Sequence, residues 1–331
     1  MADLSDYTSL RVGGPAKKFI EVSSEEEIIA AIEGAGDSPI LIMGAGTNML
    51  VSDDGFAGTV IRISNNKIEA EVDACSGATL TIGAGENWDE FVKTTISRGF
   101  AGLETLSGIP GTVGATPIQN VGAYGQQVSE TIAQVRAWNR KTNSIDTLFA
   151  ADCAFGYRTS IFKQNPDTWV ILSVTFQLPL GDLSAPIGYT ELANKLGVDL
   201  DSRVQAKDVR SAVLELRSAK GMVIDPTDHD TWSVGSFFMN PRVTAAPEAA
   251  PSWPEADGTV KVSAAWLIEQ SGFTKGFSLN GRAALSSKHT LAITNRGNAT
   301  SADIAELADH ITSGVKAKFD IELKPEATFI Y

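Results

Sequence analysis

The 331-residue sequence has only two cysteines, Cys75 and Cys153, and three histidines, His229, His289 and His310. The cysteines are far apart and form no CxxC pair, which argues against both a disulfide framework and a cysteine-based zinc site. Both read as small core residues. The histidines show no HExxH spacing, so no metal centre is expected. A bilayer span needs about 20 predominantly apolar residues, and no run here approaches that length. Nor does a cationic and then apolar leader precede Leu10, so a cytoplasmic protein is expected. Positive charge is also scarce: Lys+Arg number 27 against 40 Asp+Glu, a formal net charge of -13. That balance would repel a polyanion, and no dense Lys/Arg run offsets it. Nucleic acid is therefore not an expected partner, nor is a membrane.

What is present is ordinary globular material, 43% hydrophobic, enough to build a sizeable core spread over two or three structural units. Phe19–Val22, Ile40–Ile42 and Thr59–Ile63 read as strands around a helix. Ser24 is the expected helix cap, with Glu27 reaching back to it. Thr79–Gly85 reads as a strand and Trp88–Ser97 as a helix stopped by Gly99. The middle is sheet-rich, with strands at Ile132–Trp138, Ser144–Leu148 and Trp169–Leu178. Asp208 is then expected to cap a helix whose Val209, Ala212, Val213 and Leu216 share one face. Residues Ala245–Asp257, rich in Pro, Ala and Glu, read as a mobile surface loop. A short helix around Ala264–Gln270, a strand Thr290–Thr294 and a long helix carrying Ile304, Leu307, Ala308, Ile311 and Val315 follow. Ile321–Ile330 can be a strand despite Pro325 only at an edge or bulge. No internal repeat is present.

Two stretches could carry chemistry. Gly44-Ala45-Gly46-Thr47-Asn48 follows an apolar strand, so its amides and polar side chains could hold a phosphate, or it could be a simple strand-to-loop turn. It is not a dinucleotide fingerprint, because Leu50 or Val51 stands where the third glycine belongs, and no Walker GK[ST] is present. Ser107-Gly108-Ile109-Pro110-Gly111-Thr112-Val113-Gly114-Ala115 offers bare backbone to a flat ligand or a pyrophosphate. The interspersed Ile109, Val113, Ile118, Val121 and Tyr124 favour an ordered loop over a flexible linker.

From Arg11-Val12-Gly13-Gly14-Pro15-Ala16 to Glu322–Ile330, the sequence resembles the UDP-N-acetylenolpyruvoylglucosamine reductase (MurB) family, in its subgroup with a substrate-loop tyrosine. The resemblance implies an α+β fold. A two-lobed FAD-binding domain of the PCMH, vanillyl-alcohol-oxidase-like type would span residues 1–180, with lobes of about 1–64 and 65–180. A carboxyl-terminal α+β substrate-binding domain would span 181–331, its last strand returning to the FAD-binding part. It implies that Gly44–Asn48, Ser107–Ala115 and Asn120, Gly122, Ala123 and Tyr124 hold FAD. The family's catalytic positions match Arg158 in Gly156–Phe162, Ser236 in Gly235–Pro241, and Glu326.

On chemical grounds Arg158 suits a carboxylate that gains electron density, since guanidinium is permanently charged and donates twice in one plane. A surface ion pair is the alternative for Arg158, a turn residue for Ser236 and an exposed edge charge for Glu326. If Glu326 lies by an anionic intermediate, a raised pKa or a contact shared with Arg158 is expected. Tyr189, Lys220, Asn240, Gln270 and Lys275 match substrate-binding positions. Gly281-Arg282-Ala283-Ala284 and the 245–257 insertion depart from the family pattern.

The implied activity is a reductase in peptidoglycan synthesis, with NADPH as co-substrate and UDP-N-acetylglucosamine enolpyruvate as acceptor, acting as a monomer. Two other readings fit the bare residues. One is a PCMH-type flavin oxidase of a small alcohol or sugar; the other is an inactive nucleotide-sugar-binding regulator.

Overall fold

A computed structural model of the chain describes residues 2–331. In chain order the first elements are β1 (Ala16–Val22), α1 (Glu25–Glu33), β2 (Ile40–Met43), β3 (Met49–Val51), β4 (Phe56–Ile63), β5 (Ile68–Asp73), β6 (Gly77–Gly83) and α2 (Trp88–Ser97). Short 3-10 turns and the two-residue strands β7 (Gly122–Ala123) and β8 (Gln126–Gln127) interrupt the glycine-rich stretch. There follow β9 (Ile132–Asn139), β10 (Ser144–Phe149), α3 (Ile161–Gln164), β11 (Trp169–Leu178), α4 (Thr190–Leu196) and α5 (Ala206–Ala219). The last part holds β12 (Arg242–Val243), β13 (Ser252–Pro254), β14 (Val260–Val262), α6 (Ala264–Gln270), β15 (Ala283–Leu285), β16 (Ile293–Asn295), α7 (Ser301–Phe319) and β17 (Thr328–Ile330). The class is α+β, as the sequence led us to expect. Among the described residues, no helix is long and apolar enough to cross a membrane.

The chain divides into two compact units that interleave in sequence. One comprises the residues up to Lys18, Gly46–Ala57 and Ala219–Tyr331; the other comprises Phe19–Ala45 and Gly58–Ser218. The second unit contains an antiparallel sheet of order β10-β9-β11-β6-β5. Its central β11 is buried at nearly every position: Trp169–Leu172 is an apolar run, after which buried Ser173 and Thr175 alternate with buried Val174 and Phe176. The edge strand β5 is exposed throughout and alternates Glu69, Glu71 and Asp73 with Ile68, Ala70 and Val72, charge that discourages edge pairing. That polarity hid it from sequence reading. The parallel pair β2–β4 lies in a three-stranded sheet of order β1-β4-β2. Trp88, Phe91 and Phe176 meet in the core of this unit, with ring centroids 5.1–6.0 Å apart.

In the first unit, α7 buries Ile304, Leu307, Ala308, Ile311 and Val315 against a core that includes Phe237, Phe238, Leu267 and Ile268. The hydroxyl of Thr300 caps this helix and Asp303 closes the capping box. The last strand, β17, pairs in parallel with β3, Phe329 lying opposite Leu50. It starts only at Thr328, since the chain before it pairs elsewhere, Pro325 with Phe238 and the Glu326 N–H with the Phe237 carbonyl.

Five local expectations need correction. Cys75 is exposed rather than a core residue, whereas Cys153 is buried. Residues 245–257 are not all loop: β13 lies inside them and joins β12 and β14 in an antiparallel sheet of order β12-β14-β13. Glu255 fastens it, accepting from Arg242 at 2.7 Å and Lys261 at 2.9 Å. Asp208 does not cap α5, which begins at Ala206; it lies in the first turn, where its charge suits the helix dipole. The Ser24 side chain does accept the Glu27 N–H at 3.2 Å, but Glu27 Oε2 reaches past Ser24 to the N–H of Ser23 at 2.7 Å. Ile118 is exposed rather than packed into its loop.

Candidate active site

In the second unit, β2 ends at Met43 and delivers Gly44 and Ala45 to the loop Ser107–Ala115. A Cβ at Gly44 would stand 2.5 Å from Thr112 Oγ1, and one at Gly114 would stand 2.5 Å from Ala84 Cβ. Close packing of the chain on itself therefore demands both glycines. The loop is ordered along Ala84–Trp88: the Val113 N–H donates to the Glu86 carbonyl at 2.9 Å, Gly114 to Ala84 at 2.8 Å, and Trp88 to Gly111 at 3.1 Å. Fully buried Trp88 also donates its ring N–H to the Leu106 carbonyl at 3.0 Å. The amides of Ile109, Gly111 and Thr112 donate to no protein acceptor among the described residues. An ordered loop with unengaged amides fits the pyrophosphate of a dinucleotide cofactor such as FAD.

The stretch beyond this loop is bent by two non-glycine residues at positive φ, Asn120 (45°) and Tyr124 (50°), and Arg158 (54°), on a different segment, shares that conformation. That conformation is costly for L-residues and collects at functional sites. The Asn120 side chain holds it, donating to Gln127 Oε1 at 2.7 Å and the Gly156 carbonyl at 3.1 Å while accepting the Ser129 N–H at 3.1 Å. Arg158 donates to the carbonyls of Gly122 at 2.8 Å and Asn120 at 3.5 Å. Its guanidinium is thus seated against the segment that carries Gly122, Ala123 and Tyr124. The Tyr124 ring meets Tyr189 edge-on, centroids 5.6 Å apart. Burial pushes the Tyr124 hydroxyl up to about 12 and raises that of Tyr189, so both are neutral donors at physiological pH.

A separate group forms in the first unit. Gly46 (φ 62°) turns the chain against Tyr7, whose carbonyl oxygen would lie 2.0 Å from an added Cβ. After half-buried Thr47, the Asn48 side chain donates to the Glu326 carbonyl at 3.2 Å, and the Thr328 N–H returns to the Asn48 carbonyl at 3.0 Å. On its other side Glu326 donates its N–H to the Phe237 carbonyl at 2.8 Å, and Phe238 pairs with Pro325. Half-buried Ser236 precedes fully buried Phe237, so Asn48, Ser236 and Glu326 occupy three neighbouring segments.

The other candidates of this unit are more scattered. Asn240 Oδ1 accepts the Ala264 N–H at 2.9 Å and so secures the start of α6. Lys220 is half-buried; Gln270, at the end of α6, and Lys275 are exposed, and the Gln270 carbonyl accepts from Lys318.

Sequence reading missed three charged residues of the second unit. Arg217 of α5 is 9% exposed, and burial pulls its guanidinium down to about 10 against the opposing pull of Tyr124 and Asp89. Asp89, in the first turn of α2, accepts from both terminal nitrogens of Arg210, at 2.6 and 2.8 Å, and from the Gly108 N–H at 2.5 Å. A signal was available, since Arg210 and Arg217 stand at i−3 and i+4 from buried Val213, on the face toward the core.

Residues 225–330 match the family described as UDP-N-acetylenolpyruvoylglucosamine reductase, C-terminal domain, and residues 16–146 match the FAD binding domain family. The chain is 48% identical to the UDP-N-acetylenolpyruvoylglucosamine reductase of Cutibacterium acnes, over 99% of this chain and 89% of that one. The chain belongs to the UDP-N-acetylenolpyruvoylglucosamine reductase family. The protein of the same name from Thermobifida fusca is 47% identical, over 99% of this chain and 96% of that one. Among solved structures, UDP-N-acetylenolpyruvylglucosamine reductase (MurB) from Thermus caldophilus superposes with a TM-score of 0.70, covering 100% of this chain and 98% of that one. At 24% identity it shows a shared fold. Membership in this reductase family and the FAD binding domain match agree with the fit of the Ile109, Gly111 and Thr112 amides to a dinucleotide.

Proposed function

We propose that this family member reduces UDP-N-acetylglucosamine enolpyruvate to UDP-N-acetylmuramate with NADPH, through FAD, in the cytoplasmic steps of peptidoglycan synthesis. The observation that carries the reading is the near-full-length relationship to reductases of that name. FAD, when bound, would supply the hydride relay between the nicotinamide and the terminal methylene carbon of the enolpyruvyl group. Gly44–Asn48, Ser107–Ala115 and Asn120, Gly122, Ala123 and Tyr124 are the residues assigned to hold it.

Arg158 binds the enolpyruvyl carboxylate and, with Glu326, stabilises the charge that develops as the methylene carbon is attacked. Ser236 gives the adjacent carbon its proton, completing the lactyl ether. The seating of Arg158 on two carbonyls supports its role, because the fork is fixed before substrate arrives. The junction of Asn48, Ser236 and Glu326 supports a common task for the latter two. Tyr189, Lys220, Asn240, Gln270 and Lys275 are assigned to the nucleotide-sugar. The flavin-binding part spans residues 1–180 and the substrate-binding part 181–331, the pairing of β17 with β3 supporting the return of the final strand. The protein works as a monomer, with no nucleic-acid or membrane partner, consistent with its net charge of -13.

The test is anaerobic. NADPH should bleach the oxidised flavin absorbance of the purified protein, and UDP-N-acetylglucosamine enolpyruvate should then restore it; bleaching without restoration overturns the acceptor assignment. Oxygen consumption with a simple alcohol or sugar would instead favour an oxidase.

A further inference from the structure

We infer that Asp89 and Arg210 are positioning residues of the flavin site: their ion pair holds the Gly108 amide and, through it, the loop Ser107–Ala115 in its cofactor-receiving conformation. The inference rests on the FAD reading above.

Three elements distant in sequence meet at one carboxylate. Asp89 comes from the first turn of α2, Arg210 from α5, and the third partner is the buried Gly108 N–H, from a glycine at φ 70°. One carboxylate oxygen accepts both the Gly108 amide and one arginine nitrogen; the other accepts the second nitrogen, completing a two-pronged pair. Burial works against the Asp89 charge, but Arg210, the Gly108 amide and Arg217 outweigh it and hold the carboxyl below the usual range. Asp89 is therefore fully ionised at neutral pH and accepts strongly from the amide.

The pair does more than brace two helices. Trp88 holds the loop at Leu106 and Gly111, Ser107 bonds back to the Glu104 carbonyl, and between these points Gly108 is tied across to α2 by Asp89. The amides of Ile109, Gly111 and Thr112, which have no protein acceptor among the described residues, lie in and just beyond this span. Their direction is set by the turn at Gly108. The Arg210 side chain is 14% exposed and that of Asp89 29%, so loss of the arginine would leave a half-buried charge that gains by turning toward water and away from the loop. Arg210 lies well past the segment matching the FAD binding domain, 16–146, so a helix outside that segment completes the loop's support.

The experiment titrates FAD into the full-length chain after its flavin has been removed, following flavin fluorescence. Arg210→Gln and Asp89→Asn should each raise the FAD Kd by about 10-fold, the loss of one charge-assisted contact. The double variant should bind no more weakly than the worse single, because both act on one loop. Arg210→Lys keeps a positive charge beside Asp89 but loses the two-pronged geometry, and should fall between wild type and Arg210→Gln. Hydrogen exchange of the flavin-free Arg210→Gln protein should quicken at residues 107–115 while α2 and α5 keep their wild-type rates, which a helix brace alone would not produce.

Wild-type-like FAD binding in both single variants, additive losses in the double, or equal acceleration of both helices with the loop would each overturn the inference. If the wild-type chain itself takes up no FAD, the flavin reading fails instead. The exchange comparison then still decides whether Arg210 orders the loop.

Discussion

The side-chain amide of Asn48 donates to the main-chain carbonyl of Glu326 at 3.2 Å, across 278 positions of sequence. This contact ties the glycine turn after β2 to the residue assigned to stabilise the reacting enolpyruvyl group. Asn48→Ala should lower stability by about 1 kcal/mol, the net worth of one such hydrogen bond. It should also slow reoxidation of reduced flavin by substrate more than reduction by NADPH. Chemical denaturation and stopped-flow measurement of the two half-reactions check the two parts.

Ser236→Ala should leave flavin reduction by NADPH at the wild-type rate and slow product formation by roughly 10²–10⁴, the usual contribution of a positioned proton donor. Product formed at the wild-type rate, with flavin bound normally, would remove Ser236 from the mechanism.

Arg158→Lys keeps the charge but loses the planar fork that rests on the Asn120 and Gly122 carbonyls. Single-turnover reoxidation should fall by about 10²-fold, as expected when a carboxylate is misplaced. FAD content measured by absorbance should stay near wild type.

Gly46→Ala should impair folding rather than cofactor binding alone. Gly46 has φ 62°, and its added Cβ would collide with the Tyr7 carbonyl oxygen at 2.0 Å. Backbone must move, so the loss should exceed about 1 kcal/mol, the usual cost of a left-handed alanine. The thermal midpoint of the flavin-free protein measures it.

Asp303 gives a pH prediction. Burial opposes its charge, but the Thr300 N–H and hydroxyl, Arg282 and Asn280 outweigh it and hold its carboxyl down to about 2. A depressed acid stabilises the fold above its unfolded value and loses that contribution as pH falls through its folded value. Asp303 should therefore contribute about 2 kcal/mol at neutral pH, fading between about pH 4 and pH 2. Urea unfolding of Asp303→Asn against wild type should show a gap that closes over that window.

Much of the local structure was legible because near neighbours in sequence decide it. The helices Trp88–Ser97 and Ala264–Gln270 have the expected limits, and Ser24 caps α1. The strand β5 was missed although Ile68, Ala70 and Val72 alternate with acids, because an exposed edge this acidic looks like a solvated segment. The sheet built around 245–257 was not legible either: β13 is three residues long, and its pairing with β14 and the anchoring of Glu255 by Arg242 and Lys261 appear only when those segments meet. Of the candidate site, the glycine loops and Arg158 stood out by composition and motif, whereas Asp89 and Arg210 looked like ordinary helix charges.

The sequence by itself determined the kinds of element, the apolar faces, the shortage of cysteine and cationic charge, and the motifs that mark the reductase family. Those depend on side-chain chemistry and on spacings of a few residues. Only the tertiary structure decided the two interleaved units, the parallel union of the last strand with Met49–Val51, and the half-buried junctions Asp89–Arg210–Gly108 and Asn48–Glu326. Each brings together groups from far along the chain, where the charge and hydrogen-bonding of one partner acquire meaning only once the other has left water beside it.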